Sequence, residues 1–188
     1  ISPDGTTIAF TYKGDIYTVP VAGGRAMQIT TNPAYDTAPV WSPDSKRIAF
    51  ASDRMGSLDV YIVAKDGGEP RRLTTHSGSE TPLAFTDAGH VLFSAGIMPS
   101  AEAVVFPSNG QFNQVYRVSV EGGRPTMISS MPMECISINK EGAMLYQDKK
   151  GYEDYWRKHH VSPIARDIWM YTPGKEPQYR QLLSLIHI

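Results

Sequence analysis

An all-β fold assembled from repeated four-stranded units is what this sequence predicts, and three observations carry the prediction. A turn phrase recurs along the chain. A strand phrase comes after each recurrence. A third phrase closes each unit, and helical spacing with capping residues is hard to find between them.

Four turn anchors align: Ser2-Pro3-Asp4-Gly5, Ser42-Pro43-Asp44-Ser45, Thr86-Asp87-Ala88-Gly89 and Asn139-Lys140-Glu141-Gly142. Their starts lie 40, 44 and 53 residues apart. In Ser-Pro-Asp-Gly, proline fixes φ at the second turn position, Asp suits the third and Gly suits the fourth. The flanks run apolar and β-branched, as in Arg47-Ile48-Ala49-Phe50-Ala51, so the turn closes a hairpin. The strand phrase is Ile16-Tyr17-Thr18-Val19, Val60-Tyr61-Ile62-Val63, Val115-Tyr116-Arg117-Val118 and Ile168-Trp169-Met170-Tyr171. Three of these continue to diglycines, Gly23-Gly24, Gly67-Gly68 and Gly122-Gly123, which suit a second hairpin turn; Pro173-Gly174 stands near the fourth. The closing phrase is Gln28-Ile29-Thr30, Arg72-Leu73-Thr74, Met127-Ile128-Ser129 and Gln181-Leu182-Leu183. Each unit therefore reads strand, tight turn, strand, variable loop, strand, glycine turn, strand.

Units of four antiparallel strands at this period are blades of a β-propeller. The expected blades are 1–33, lacking its inner strand, then 34–77, 78–130 and 131–184. A blade buries its faces only against neighbours, and propellers typically close with about 4–8 of them. Three and a half to four blades make an incomplete ring, so the chain reads as a fragment, with Ile1 ending a strand that starts upstream. Its uncovered end faces are expected to make the isolated chain aggregation-prone. Residues 185–188 do not resume the pattern and are set apart as a tail of doubtful origin.

Composition narrows the function. Of 188 residues, 41% are apolar and 20% charged, an ordinary globular balance. With 18 basic and 19 acidic side chains the formal charge is −1, so no field of one sign draws nucleic acid or an anionic membrane, and neither is expected as a partner. The single cysteine, Cys135, allows no internal disulfide and leaves the compartment open between periplasm and cytoplasm. Cys135 falls in an inner strand and is expected to be small and buried.

Longer stretches are more specific. Asn32-Pro33-Ala34-Tyr35-Asp36, Phe50-Ala51-Ser52-Asp53-Arg54-Met55-Gly56-Ser57, and Gly151-Tyr152-Glu153-Asp154-Tyr155-Trp156-Arg157-Lys158-His159-His160 with Ser162-Pro163-Ile164-Ala165-Arg166-Asp167-Ile168-Trp169 resemble the N-terminal propeller of bacterial tricorn-like serine peptidases. The shorter repeat is shared with TolB-type propellers. The resemblance covers nearly all of 1–183. It implies a parent chain with a six-bladed propeller, often a second one, a PDZ-like module and a serine peptidase core. The propellers of that family admit and position peptides, while hydrolysis belongs to the core. Nothing here matches that core, so no catalytic residue is carried over.

The residues themselves agree. Ser2 and Ser42 sit in turns beside proline, and there is no Gly-x-Ser-x-Gly elbow. The diglycines lack the Lys-Ser/Thr and helix of a phosphate loop. His76, His90, His159, His160 and His187 form no metal-ligand spacing, so no metal or other cofactor is expected.

Loops are more informative. The connection between second and third strands is short in the first two units and long in the third (about 96–113) and fourth (about 149–165), and both long ones must emerge on one face. The third-unit loop is apolar (Ile97, Met98, Val104, Val105, Phe106) and is expected to pack on a neighbour. The fourth-unit loop joins Tyr152, Tyr155 and Trp156 to Glu153, Asp154, Arg157, Lys158, His159 and His160, which suits either an interface or a loop pinned on its own blade. Arg54, in the short loop of the second unit, could meet a peptide carboxylate bidentately or bond Asp53, Asp59 or Asp36 instead. Candidate peptide or partner contacts are therefore Arg54, Tyr152, Trp156, Arg157, His159 and His160.

The expected function is that of a non-catalytic propeller region that gates or positions peptides or unfolded segments and supports assembly. Its partners would be the remaining blades and peptidase core of its own chain, and a homo-oligomer is open. Two rivals are a free-standing TolB-like protein-binding propeller and the propeller of a prolyl-oligopeptidase-type hydrolase.

Overall fold

The computed structural model describes residues 1–96, 113–131, 133–139, 141–148 and 167–183. Fifteen strands and no helix are found among them. They form four antiparallel sheets, each in simple sequential order. The first holds β1 (Thr7–Tyr12), β2 (Asp15–Pro20) and β3 (Met27–Gln28). The second holds β4 (Asp36–Trp41), β5 (Arg47–Ser52), β6 (Asp59–Ala64) and β7 (Arg71–Arg72). The third holds β8 (Glu80–Asp87), β9 (His90–Gly96), β10 (Asn113–Ser119) and β11 (Thr126–Ser129). The fourth holds β12 (Met133–Ile138), β13 (Met144–Asp148), β14 (Ile168–Thr172) and β15 (Gln178–Leu183). β1 packs on β4, β4 on β8 and β8 on β12, so the sheets succeed one another around an axis as an open propeller arc.

The turns explain the repeated phrase. In the β4–β5 hairpin the Ser42 hydroxyl donates to Asp44 Oδ1 (2.6 Å) and accepts the Arg47 N–H (2.9 Å), while Asp44 Oδ1 accepts the Lys46 N–H (3.1 Å). Ser2 and Asp4 repeat the pattern at 2.6, 3.0 and 3.0 Å. Asn139 does both jobs with one side chain, its Oδ1 accepting the Glu141 and Ala143 N–H groups at 3.0 and 2.9 Å. The fourth turn position is left-handed in all three, at Gly5 (φ 73°), Ser45 (57°) and Gly142 (81°). Thr86-Asp87-Ala88-Gly89 departs from them: Asp87 pairs with His90, leaving a two-residue turn.

Alternation along each strand sends side chains into the clefts on either side. Ile48, Phe50, Tyr61 and Val63 meet Ile16 and Ile29 of the first sheet. Ala49, Val60 and Ile62, the intervening residues, meet Phe85, Val91, Phe93 and Val118 of the third. Leu92 and Val115 meet Met133, Met144, Tyr146 and Tyr171 of the fourth. Each sheet also carries an aromatic pair across its second and third strands, or across the first two in the three-stranded sheet. Phe10–Tyr17, Phe50–Tyr61 and Phe93–Tyr116 stack with ring centroids 5.9, 5.9 and 5.7 Å apart, and Tyr146 lies opposite Trp169.

Backbone bonds join consecutive sheets at their upper edge, the one bearing the β5–β6 connection. The Asp36 N–H donates to Gly14 O and the Glu80 N–H to Leu58 O, each at 2.7 Å. At the opposite edge Asp4 N–H donates to Ser45 Oγ (3.1 Å), and Arg71 reaches Glu121 (2.9 Å) and the Val120 carbonyl.

One expectation is corrected. Cys135 is exposed, at φ 51° in the bulge where the β12–β13 register shifts. Ala38 holds the equivalent place in β4, at φ 52° in the Thr37/Val40 shift. A bulge turns its extra residue out of the pleat, which strand alternation alone does not foresee.

Candidate functional site

The upper edge gathers the buried charges. β2 and β6 each start with an acid, Asp15 and Asp59, and Asp167 stands just before β14; the outer strand of the same sheet reaches back to each. Gln28 Nε2 donates to Asp15 (3.0 Å), Arg72 pairs with Asp59 (2.8 Å) and Gln181 Nε2 donates to Asp167 (2.7 Å). A threonine after the outer strand completes the device twice, its hydroxyl accepting the Ile16 N–H at Thr30 (3.0 Å) and the Val60 N–H at Thr74 (2.9 Å). These contacts explain the closing phrase Gln/Arg-Ile/Leu-Thr. The acids Asp15, Asp59 and Asp167 were the signal for it, visible in the sequence but silent until the pairing was known.

Arg54 is held on three sides. Its Nη2 lies 2.8 Å from Asp36 Oδ2, a side chain with no exposed surface. Its guanidinium carbon stands 5.5 Å from the Phe50 ring centroid and 5.1 Å from that of Tyr61, within cation–π range. The arginine is 12% exposed and lines a polar cavity of about 220 Å³ between the first and second sheets, with Thr30, Thr31, Asn32 and Glu69. Of the partners open to it in sequence, Asp36 is the one it takes. Tyr152, Trp156, Arg157, His159 and His160 lie outside the described residues, as do the apolar third-unit loop, the bulk of the fourth-unit loop and the tail 185–188.

Glu80, at the start of β8, is 2% exposed, and its Oε2 has no hydrogen-bond partner. Burial pushes its carboxyl up to about 7; the Thr74 hydroxyl opposes the rise and the nearby Asp59 carboxylate adds to it. It lines a cavity of about 400 Å³ between the second and third sheets with Thr75, His76, Phe93, Ala95, Tyr116, Arg124 and Pro125. On the axis side, Pro39, Val40, Trp41, Leu83, Phe85 and Ile138 line an apolar trough of about 720 Å³.

The Ser2 and Ser42 hydroxyls are committed to their turns, and a serine nucleophile needs a base within reach instead. Among the described residues no group of three or more His, Cys, Asp or Glu side chains converges.

Comparison with known proteins places these features. Residues 2–185 match the family described as the tricorn protease N-terminal beta propeller domain. Tricorn protease homolog 1 of Streptomyces coelicolor is 25% identical over 169 residues, which is 89% of this chain and 15% of that protein. Among solved structures, the tricorn protease superposes with TM-score 0.69 at 15% identity, over 98% of this chain and 22% of the other. A putative TolB from Agrobacterium tumefaciens gives 0.67 at 23% identity, over 98% and 64%. These two likenesses carry the fold alone. The chain thus spans a minor part of its tricorn relatives.

Proposed function

The chain belongs to the tricorn protease N-terminal β-propeller family, and on that premise we propose that it is the non-catalytic propeller region of a tricorn-like serine peptidase, admitting or positioning peptides for a peptidase core and docking on that core. The observation that carries this reading is the family match over 2–185 in a chain whose repeated Ser-Pro-Asp serines, Ser2 and Ser42, are committed to turns. The apolar trough along the axis side of β4, β8 and β12 supports it, because an extended peptide needs an apolar wall with backbone groups in reach.

Hydrolysis by the full-length protein tests it. Cleavage of a short chromogenic peptide and of an unfolded protein is compared with the same protein lacking residues 1–188. Gating requires the ratio between the two substrates to shift at least severalfold on removal. A second arm narrows the trough with Ala84→Trp, which is expected to slow the long substrate more than the short one. Unchanged ratios in both arms overturn the reading.

A further inference from the structure

The second and third sheets carry the same floor at their upper edge, and among the described residues only one of the two floors holds a cation. In the second sheet Asp36 opens the inner strand opposite Ser52, and the Phe50–Tyr61 pair lies beside it. Arg54 sits between that acid and those rings. In the third sheet Glu80 opens the inner strand opposite Ala95, and the Phe93–Tyr116 pair takes the place of Phe50–Tyr61. Four residues after Phe93, however, the sequence has Ile97 where Arg54 comes four after Phe50. The acid and the aromatic pair remain, and the cation that would join them is gone from the repeat.

The surroundings correspond position by position. Thr31, Asn32, Glu69 and Pro70 line the Arg54 cavity, and Thr75, His76, Arg124 and Pro125 line the Glu80 cavity. The Arg54 cavity measures about 220 Å³ and the Glu80 cavity about 400 Å³. Glu80 Oε2, in the larger one, has no hydrogen-bond partner among the described residues, while the Thr74 hydroxyl, the His76 backbone and the Asp59 carboxyl bond the rest of the group. Glu80 makes no ion pair among the described residues, whereas Asp36 and Asp59 each hold an arginine.

We propose that the cleft between the second and third sheets is a seat for a basic side chain of a bound peptide, supplied from outside in the place that Arg54 fills in the preceding cleft. This rests on the peptide-handling reading above. The carboxylate would meet the guanidinium or ammonium group, and the aromatic pair would cover its face. The titratable and charged groups around the seat are Asp59 from β6, Arg72 from β7, His76 from the β7–β8 connection, Tyr116 from β10 and Arg124 on the rim. Ionised Glu80 strengthens the attraction, so cation binding rises with pH through the neutral range.

Calorimetric titration of the full-length protein with N-acetyl-arginine amide, against uncharged N-acetyl-citrulline amide, tests the seat. The charged probe is expected to bind, the citrulline probe to bind at least tenfold more weakly, and the affinity for arginine to rise about tenfold between about pH 6 and about pH 8. Glu80→Gln keeps the shape, removes the charge, and should abolish both the preference and the pH dependence; His76→Ala should keep the preference. Arg124→Glu, on an exposed rim side chain, should tighten binding severalfold. If Glu80→Gln does not fold, the probe preference and the rim variant still decide. Equal binding of both probes, no binding, or an unaltered preference in Glu80→Gln overturns the seat. Removal of residues 1–188 judges gating separately, so the two failures are distinguishable.

Discussion

The second and fourth sheets are built from the same phrases and have opposite surroundings. β5 and β6 are buried along nearly their whole length, because the first and third sheets cover the two faces. β15 is exposed at every residue, and Leu145, Ile168, Leu182 and Leu183 show between 38% and 44% of their surface. A blade in this architecture has no core of its own. Its stability comes from its stacked neighbours, so equal residues at equal places carry unequal energies.

The largest expected effect tests that inequality directly. Phe50→Ala, at a side chain with no exposed surface, should cost about 3–5 kcal/mol in denaturant unfolding, whereas Leu182→Ala on β15 should stay within about 0.5 kcal/mol. Comparable losses at both sites would mean that the fourth sheet is covered in solution. Arg54→Ala should come next at about 3 kcal/mol, since it leaves the buried Asp36 carboxylate without its cation. A double variant with Asp36→Asn should recover part of that loss, and a cycle with no coupling would break the account of the pair.

Glu80 gives the pH-dependent term. Its carboxyl titrates near 7 in the folded protein, above its ordinary 4.5, so the native state keeps the proton that the unfolded state gives up. Its contribution is full below about pH 4.5, declines as pH rises towards 7 and is flat beyond, amounting to roughly 3 kcal/mol in all. Subtracting the stability curve of Glu80→Gln from that of the wild type should leave this falling limb; a flat difference would contradict it. Ser42→Ala removes two turn hydrogen bonds and should cost about 1 kcal/mol. Ala38→Gly relieves a left-handed alanine and should gain about 0.5 kcal/mol, the smallest of the set.

The hairpin grammar was legible because its residues act locally. Ser42 and Asp44 bond backbone groups within five positions, so the phrase alone reports the turn. The strand alternation was legible for the same reason. The features that escaped depend on register. Cys135 looked buried because an unbroken strand was assumed, and the bulge that turns it out arises from how β12 meets β13. The reach of Gln28, Arg72 and Gln181 to the third-strand acids joins residues 13 or 14 apart in sequence, and neither partner announces the other. Glu80 is the sharpest case. It is one acid among nineteen acidic side chains until the sheets are superposed, and only then does it stand where Asp36 stands, without the arginine.

The two bonds that tie successive sheets at the upper edge, Asp36 N–H to Gly14 O and Glu80 N–H to Leu58 O, use peptide groups alone. Every residue except proline owns that donor, and every residue owns that acceptor. This part of the joint among the first three sheets is therefore inherited with the polypeptide itself, beside the side-chain clusters that fill the clefts. A duplicated unit would keep these two bonds whatever its side chains became. Drift could then rewrite the loops and empty a charged seat in one copy while its sister kept it, with no penalty in alignment. Divergence without disassembly is what such a joint permits.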